Sequence, residues 1–321
     1  MRGADANDAA VRVRVFGALL TADRTLPGLP VAPPGDDGHC LFWQLRTTDV
    51  AYVGHSADAS LQGSMVYGDG TRVTLAVSST ASEIVIGDTG RFTLLHDGRI
   101  HHHAPPDVDR AAVALDLIGV VLPYAMHRRG AWCLHASAIQ FGNDAIAFVA
   151  PRGTGKSTLA ACCVVGGAPL VADDVVVIAP SDGAISVTPT GLPLRLRGES
   201  ARAVGVADQV TDGWGKVRVP AADAARSLPL SAVYVLNAAA PDLIVTRARR
   251  STRAAALALL TNGKLTELLG AAEAGDVLSR CVAIAENTPV FDLAVPRDLT
   301  RLGEVHDALQ RWHSRDGAGA A

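Results

Sequence analysis

Hydrophobic and polar positions along this chain change their rhythm near residue 108. Before it they alternate: VRVRVFGALL from Val11, TRVTLAVSS from Thr71, and SEIVIGDTGRFTLLHDGRIHHH from Ser82. That is the period of half-buried strands, with Asp97-Gly98 as a tight turn. A Pro-containing link, His103–Arg110, leads to an apolar run that predicts a helix over 111–125. WCLHASAIQFGNDAIAFVA then predicts a hairpin of Trp132–Phe141 and Asp144–Ala150 around a Gly142-Asn143 turn. LVADDVVVI, Leu170–Ile178, reads as an apolar strand interrupted by two aspartates, and Ala232–Ala238 as a buried strand. Helical patterns close the chain, beginning at Ser251, Ala274 and Pro296, before a polar tail expected to fray. The pattern predicts an α/β chain: a β-rich N-terminal domain over 1–108 and a second domain over 109–321.

Composition adds little to that picture. The 321 residues suffice for one large or two ordinary domains, and a net charge of −3 gives no general attraction to nucleic acid or to an anionic membrane. The longest apolar run, Ala111–Ala125, is broken by Asp116 and Pro123 and is shorter than a membrane span. MRGADANDAA has no apolar core, so no signal peptide is expected. Five cysteines without secretory spacing point to reduced thiols in the cytosol. His101, His102 and His103 alternate faces on a strand and so chelate one ion poorly. The basic stretch RARRSTR, Arg247–Arg253, reads as a solvated loop or helix start.

The chemistry concentrates in AIAFVAPRGTGKSTLAACC, from Ala145 to Cys163. It reads as a buried strand, a glycine-containing turn and the first turns of a helix. This is the P-loop arrangement, in which backbone N–H groups wrap a polyphosphate, a lysine reaches its outer phosphates and a Ser/Thr hydroxyl holds Mg²⁺. The helix N-terminus adds unpaired N–H groups and partial positive charge. Ala150 stands where the usual pattern has Gly, and Pro151 has no N–H. The cradle therefore falls to Arg152, Gly153, Thr154, Gly155, Lys156, Ser157 and Thr158. Gly166, Gly167 and Pro169 stop the helix, and a returning strand brings Asp173 and Asp174 back to the phosphate end. Adjacent carboxylates within an apolar run need a cation or donor to meet them. If the Gly142-Asn143 turn sets the register, His135 lies across from Ala150 at the mouth of the loop.

The order LHAS, P-loop, LVADD resembles the catalytic domain of HPr kinase/phosphorylase, whose nucleotide fold is shared with the phosphoenolpyruvate carboxykinases. In overall layout the chain is most similar to HPr-kinase-like tailoring kinases of ribosomally made peptides, lasso peptides among them. The resemblance implies a P-loop kinase core with a mixed sheet and helices, preceded by the β-rich domain. It also implies a Mg-ATP-dependent, cytoplasmic serine kinase acting on a peptide or protein hydroxyl, compatible with self-association. By that similarity His135 and Asp173 handle the acceptor proton, Lys156 serves the phosphates, and Ser157 and Asp174 hold Mg²⁺. GLPLRLRGES, Gly191–Ser200, does not reproduce the family's glycine-rich loop and arginine cluster. Arg195, Arg197, Lys216 and Arg218 remain open between phosphate contact and a solvated strand edge. A small-molecule phosphotransferase of the same fold and a non-catalytic nucleotide-binding recruitment module are the alternative readings.

Overall fold

A computed structural model describes residues 10–33, 42–50, 54–181, 183–206, 209, 211, 215–222, 224–240 and 242–313. The polar tail and Asp212–Trp214 lie outside them. The protein is mixed α/β, with a β-rich N-terminal sheet and a second, mixed sheet with helices. Contacts divide it into Met1–Arg129 with Leu265–Asp276, and Gly130–Lys264 with Val277–Ala321. The division therefore falls after the helix of 111–125, not before it as the alternation suggested: that helix packs with the first sheet.

The first unit contains β1 (Val11–Val15), β2 (Ala18–Ala22), β3 (Phe42–Asp49), β4 (Ser60–Val66), β5 (Arg72–Val77), β6 (Ala81–Ile86), β7 (Gly90–Leu95) and β8 (Arg99–Ala104). They form one eight-stranded sheet in the order β1-β2-β3-β8-β7-β6-β5-β4. VRVRVFGALL is a tight hairpin, not one strand, because Phe16 (φ 54°) and Gly17 (φ 69°) turn the chain between β1 and β2. His102 points inward and stacks on Phe92, its Nε2 2.8 Å from the Thr89 carbonyl, while His101 and His103 stay on the half-buried face. The helical segment runs as α1 (Arg110–Asp116), a π turn (Leu117–Val121) and α2 (Leu122–His127). Pro123 has no N–H to continue an α ladder, and the preceding N–H, of Leu122, reaches back five residues to Leu117. At 18 residues and mean hydropathy 1.3, Arg110–His127 is long and apolar enough to cross a membrane, which corrects the shorter run read from sequence. In the folded chain 61 % of it is buried.

The second unit is built on a mixed sheet of β9 (Trp132–Leu134), β10 (Ala136–Phe141), β11 (Asp144–Val149), β12 (Leu170–Asp173), β13 (Val176–Ser181) and β14 (Ala184–Thr188). A separate ribbon, β15 (Leu194–Leu196) with β16 (Val217–Val219), precedes the remaining sheet strands β17 (Leu228–Ala239), β18 (Thr246–Arg249) and β19 (Val290–Pro296). The sheet runs β12-β10-β11-β17-β14-β13-β9, with β19 parallel to β17 and β18 antiparallel to β19. Gly142-Asn143 sets the expected register, with Ile139 opposite Ile146. Between β11 and β12 lies α3 (Lys156–Val165). It buries Leu159, Ala160, Ala161, Cys163 and Val164 in a core with Phe148, Leu194, Leu196, Val305 and Leu309. Each fully buried Leu, Phe or Val contributes about 1.5–3 kcal/mol of transfer free energy, so this layer fixes α3 on the sheet.

One later segment differs from its sequence reading, and another had none. RARRSTR is largely engaged: Arg247 stacks over Phe291 and Trp312, at 4.8 and 4.7 Å from their ring centres, and Arg250 meets Asp292 at 2.6 Å. Strand β19 carried no clear signal because its apolar residues do not alternate strictly. It pairs with β17 on one side and β18 on the other.

Candidate functional site

Two strands expected to be continuous are broken, and the breaks coincide. Trp132–Phe141 divides at His135 into β9 and β10, and Leu170–Ile178 divides at Asp174 into β12 and β13. Ser137 pairs with Asp173 on one side of the break, and Leu134 pairs with Val176 on the other. Asp174 takes φ 68°, a left-handed conformation that Asp tolerates better than most residues. Such outliers persist where surrounding contacts over-determine them. Here His135 Nδ1 sits 3.1 Å from both the backbone oxygen and Oδ1 of Asp174.

The β10–β11 ladder stops at Ala136–Val149, so His135 leaves the strand where the register put it across from Ala150. Its own N–H donates to the Asn262 carbonyl at 2.8 Å, and Lys264 N–H donates to the Cys133 carbonyl at 2.8 Å. These bonds stitch the end of the helix Thr252–Thr261 onto β9 and bring Lys264 Nζ to 2.9 Å from Asp174 Oδ2.

Asp173 is the inner member of the pair. Its Oδ1 accepts from Ser137 Oγ at 2.7 Å and from Ser157 Oγ at 2.8 Å, and the Arg195 backbone N–H also donates to the carboxylate. The grouping expected from the resemblance is thus exchanged. Ser157 joins Asp173 instead of Asp174, and His135 joins Asp174 instead of Asp173. The cause is the chain break: side chains alternate along a strand, but the left-handed turn at Asp174 swings the second carboxylate outward. Ser137 and Lys264 went unnoticed in the sequence. Ser137 had a signal, two positions after His135 in LHAS, whereas Lys264 had none.

The two carboxylates differ electrostatically. Burial pushes Asp173 up, against the Ser137 hydrogen bond, and the charge of Asp174 adds to the rise. Burial opposes ionisation of Asp174 as well, but the Lys264 ammonium and His135 outweigh it and hold its carboxyl well below the usual range.

The loop Pro151–Gly155 joins β11 to α3. Gly153 (φ 83°) and Gly155 (φ 99°) both need the left-handed region, and a Cβ on either would meet only open space. Thr154 N–H donates to the Pro151 carbonyl at 3.3 Å, and helix bonding begins with Leu159 N–H to Gly155. Among the described residues the first-turn N–H groups of α3 thus have no backbone acceptor, which suits an anionic polyphosphate. Lys156 is buried, although it follows directly on the loop. Its Nζ donates to the Ala150 and Pro151 carbonyls at 2.8 and 3.3 Å. Burial lowers it to about 8, with Asp174 and Asp173 opposing. Thr158 is turned away and donates to Ser200 Oγ at 3.0 Å, while Arg152 is exposed. For a divalent cation, Ser157 and Asp173 form a hydroxyl–carboxylate pair of the kind Mg²⁺ accepts when phosphates complete its shell.

The open cations near GLPLRLRGES resolve into the β15–β16 ribbon. Leu194, Leu196, Val217 and Val219 face the α3 core, and Arg195 stands opposite Arg218 on the outer face. Arg197 is exposed ahead of the short helix Gly198–Ala203.

No family model and no curated protein matches the chain. Among solved structures, the Hpr(Ser) kinase/phosphatase from Coxiella burnetii is similar over 56 % of this chain and 95 % of that one, with 14 % identity and a TM-score of 0.32.

Proposed function

We propose that this protein is a Mg-ATP-dependent kinase of the HPr kinase/phosphorylase type, transferring a phosphoryl group to a hydroxyl, a serine of a peptide or protein. One observation carries the reading. Ser157, at the start of α3, donates to Asp173, at the end of β12, at 2.8 Å. The lysine, the helix N-terminus and the acidic pair therefore converge on one side of the sheet.

Mg-ATP, when bound, supplies the transferable phosphoryl group and the divalent charge that offsets its oxygens. The N–H groups of Arg152, Gly153, Gly155, Lys156, Ser157 and Thr158 bind the phosphates, and Lys156 leaves the Ala150 and Pro151 carbonyls to reach them. Ser157 and Asp173 hold the cation. Asp174, outward-facing and kept ionised by Lys264, accepts the proton of the acceptor hydroxyl. His135 fixes its carboxylate through Nδ1. This assignment exchanges the roles that the family resemblance gave to Asp173 and Asp174, and the pairing of Ser157 with Asp173 is what supports the exchange.

The test incubates the purified full chain with Mg-ATP and a panel of serine-containing peptides and weighs the products. A phosphate gained by a peptide, and lost in Lys156→Met, is the expected result. Absence of nucleotide binding by the folded wild-type protein in calorimetry would overturn the proposal. Asp173→Asn is expected to weaken the dependence on Mg²⁺, and Asp174→Asn to bind Mg-ATP yet transfer slowly. The opposite pair of phenotypes returns the roles to the family's assignment.

A further inference from the structure

We propose that the first unit carries a separate binding pocket for a small oxyanion, the carboxylate of an acidic peptide side chain. The pocket, of about 120 Å³, opens between β3, the β7–β8 turn and the C-terminal end of α2. Tyr124 and Ser82, both buried, lie in its lining, and Tyr124 O–H donates to Ser82 Oγ at 2.9 Å. The Ser82 hydroxyl hydrogen then has no carbonyl or carboxylate to receive it among the described residues. Arg128 and Arg129 end the helix at the same pocket, exposed and without a carboxylate partner among the described residues. The Arg129 guanidinium lies 5.6 Å from the centre of the Trp43 ring, and a Cβ on Gly98 would stand 3.6 Å from its Nη2. Its position is therefore set by the aromatic face and by the glycine of the β7–β8 turn.

Among the described residues, two nearby carboxylates are already matched. Asp97 is held by Arg99 at 2.7 Å, and Glu273 by His127 at 2.6 Å. What remains is a recess of donors: two guanidinium forks and a hydroxyl. Guanidinium has no acceptor to offer, so such a site selects an acceptor-only group, and a carboxylate meets the fork bidentately. Size narrows the choice further. Sites for whole cofactors or drug-sized ligands run to roughly 300–1,000 Å³, whereas an apolar cavity of about 150 Å³ takes a single benzene ring. This pocket therefore has room for one side chain or a small free anion, and not for a nucleotide.

The assay contains no nucleotide, so the proposal fails or succeeds apart from the kinase reading. A dye-labelled peptide of alternating glutamate and glycine is titrated with the full chain by fluorescence anisotropy, beside its glutamine counterpart. The acidic peptide is expected to bind at least about ten-fold more tightly. The double variant Arg128→Gln/Arg129→Gln, with an unchanged melting temperature, and the variant Ser82→Ala are each expected to weaken it. Competition with millimolar sodium glutamate or inorganic phosphate separates the sources. Displacement shows that a free anion suffices, and resistance assigns the pocket to a peptide-borne carboxylate. Equal binding of the two peptides overturns the proposal. So does full affinity in the folded double variant, or full affinity in Ser82→Ala, which would leave surface charge as the only cause.

Discussion

Lys264 Nζ stands 2.9 Å from Asp174 Oδ2, although ninety positions separate them along the chain. The contact exists because the end of the helix Thr252–Thr261 is hydrogen-bonded to Cys133 and His135 at the break between β9 and β10. One ammonium thereby keeps the outer carboxylate ionised while the inner one, Asp173, is held by hydroxyls.

Lys264→Met is expected to leave nucleotide affinity nearly unchanged and to lower phosphoryl transfer by at least about ten-fold. A hydrogen bond to a charged group is worth roughly 1.5–3 kcal/mol, and about 1.4 kcal/mol in a barrier is ten-fold in rate. Single-turnover transfer and a nucleotide titration on the same preparation check it. Wild-type transfer in this variant would remove Lys264 from the site.

Ser137 is fully buried, and its hydroxyl is one of two that satisfy Asp173 Oδ1. Ser137→Ala withdraws a donor from a carboxylate that burial already disfavours. The expected cost is about 1–3 kcal/mol of unfolding free energy, read from urea denaturation at neutral pH. A midpoint equal to wild type would show that Ser157 and the Arg195 N–H satisfy Asp173 unaided.

Asp116, in the first unit, is pushed up from 3.8 to about 6 by burial, against a hydrogen bond from Thr89, with Asp69 and Asp88 adding to the rise. Its folded state holds the proton more tightly than the unfolded chain. The stability this provides is fully present below pH 4 or so and is lost as pH rises through about 6. Asp116→Asn keeps an acceptor for Thr89 and removes the titration. Relative to wild type it should gain on the order of 2 kcal/mol between pH 4 and pH 7, measured by denaturation at both values. Parallel pH profiles would place Asp116 in a solvated setting.

Gly63 on β4 lies against the short helix Thr266–Leu269. A Cβ there would stand 2.2 Å from the Leu268 carbonyl oxygen, a backbone atom with no flexible end to yield. Gly63→Ala is expected to cost roughly 1–3 kcal/mol, the range for overpacking, and to loosen the helix. Thermal unfolding together with hydrogen exchange at 266–269 tests both parts. An unchanged melting temperature would mean that the close approach is dispensable.

Local chemistry determined a good deal of this protein. Gly142-Asn143 set the register of β10 on β11, alternation announced the first sheet, and Gly166, Gly167 and Pro169 ended α3 so that β12 returned beside the loop. These features depend on residues close in sequence, where backbone preferences and side-chain period act directly. Tertiary structure decided the rest. His135 and Asp174 became strand breaks inside one antiparallel register, β10 on β12 and β9 on β13, because the His135 N–H goes to the Asn262 carbonyl and its ring to Asp174. That choice depends on partners far along the chain. By its motif Lys156 reaches for phosphates, yet in the folded chain its Nζ sits on the Ala150 and Pro151 carbonyls. The helix of 111–125 joined the first sheet because burial of its apolar residues depends on which surface is offered, and no spacing within the run records that. Lys264 is the clearest case: nothing around it in the sequence marks it, and it reaches Asp174 only because the segment just after a distant helix is hydrogen-bonded to β9.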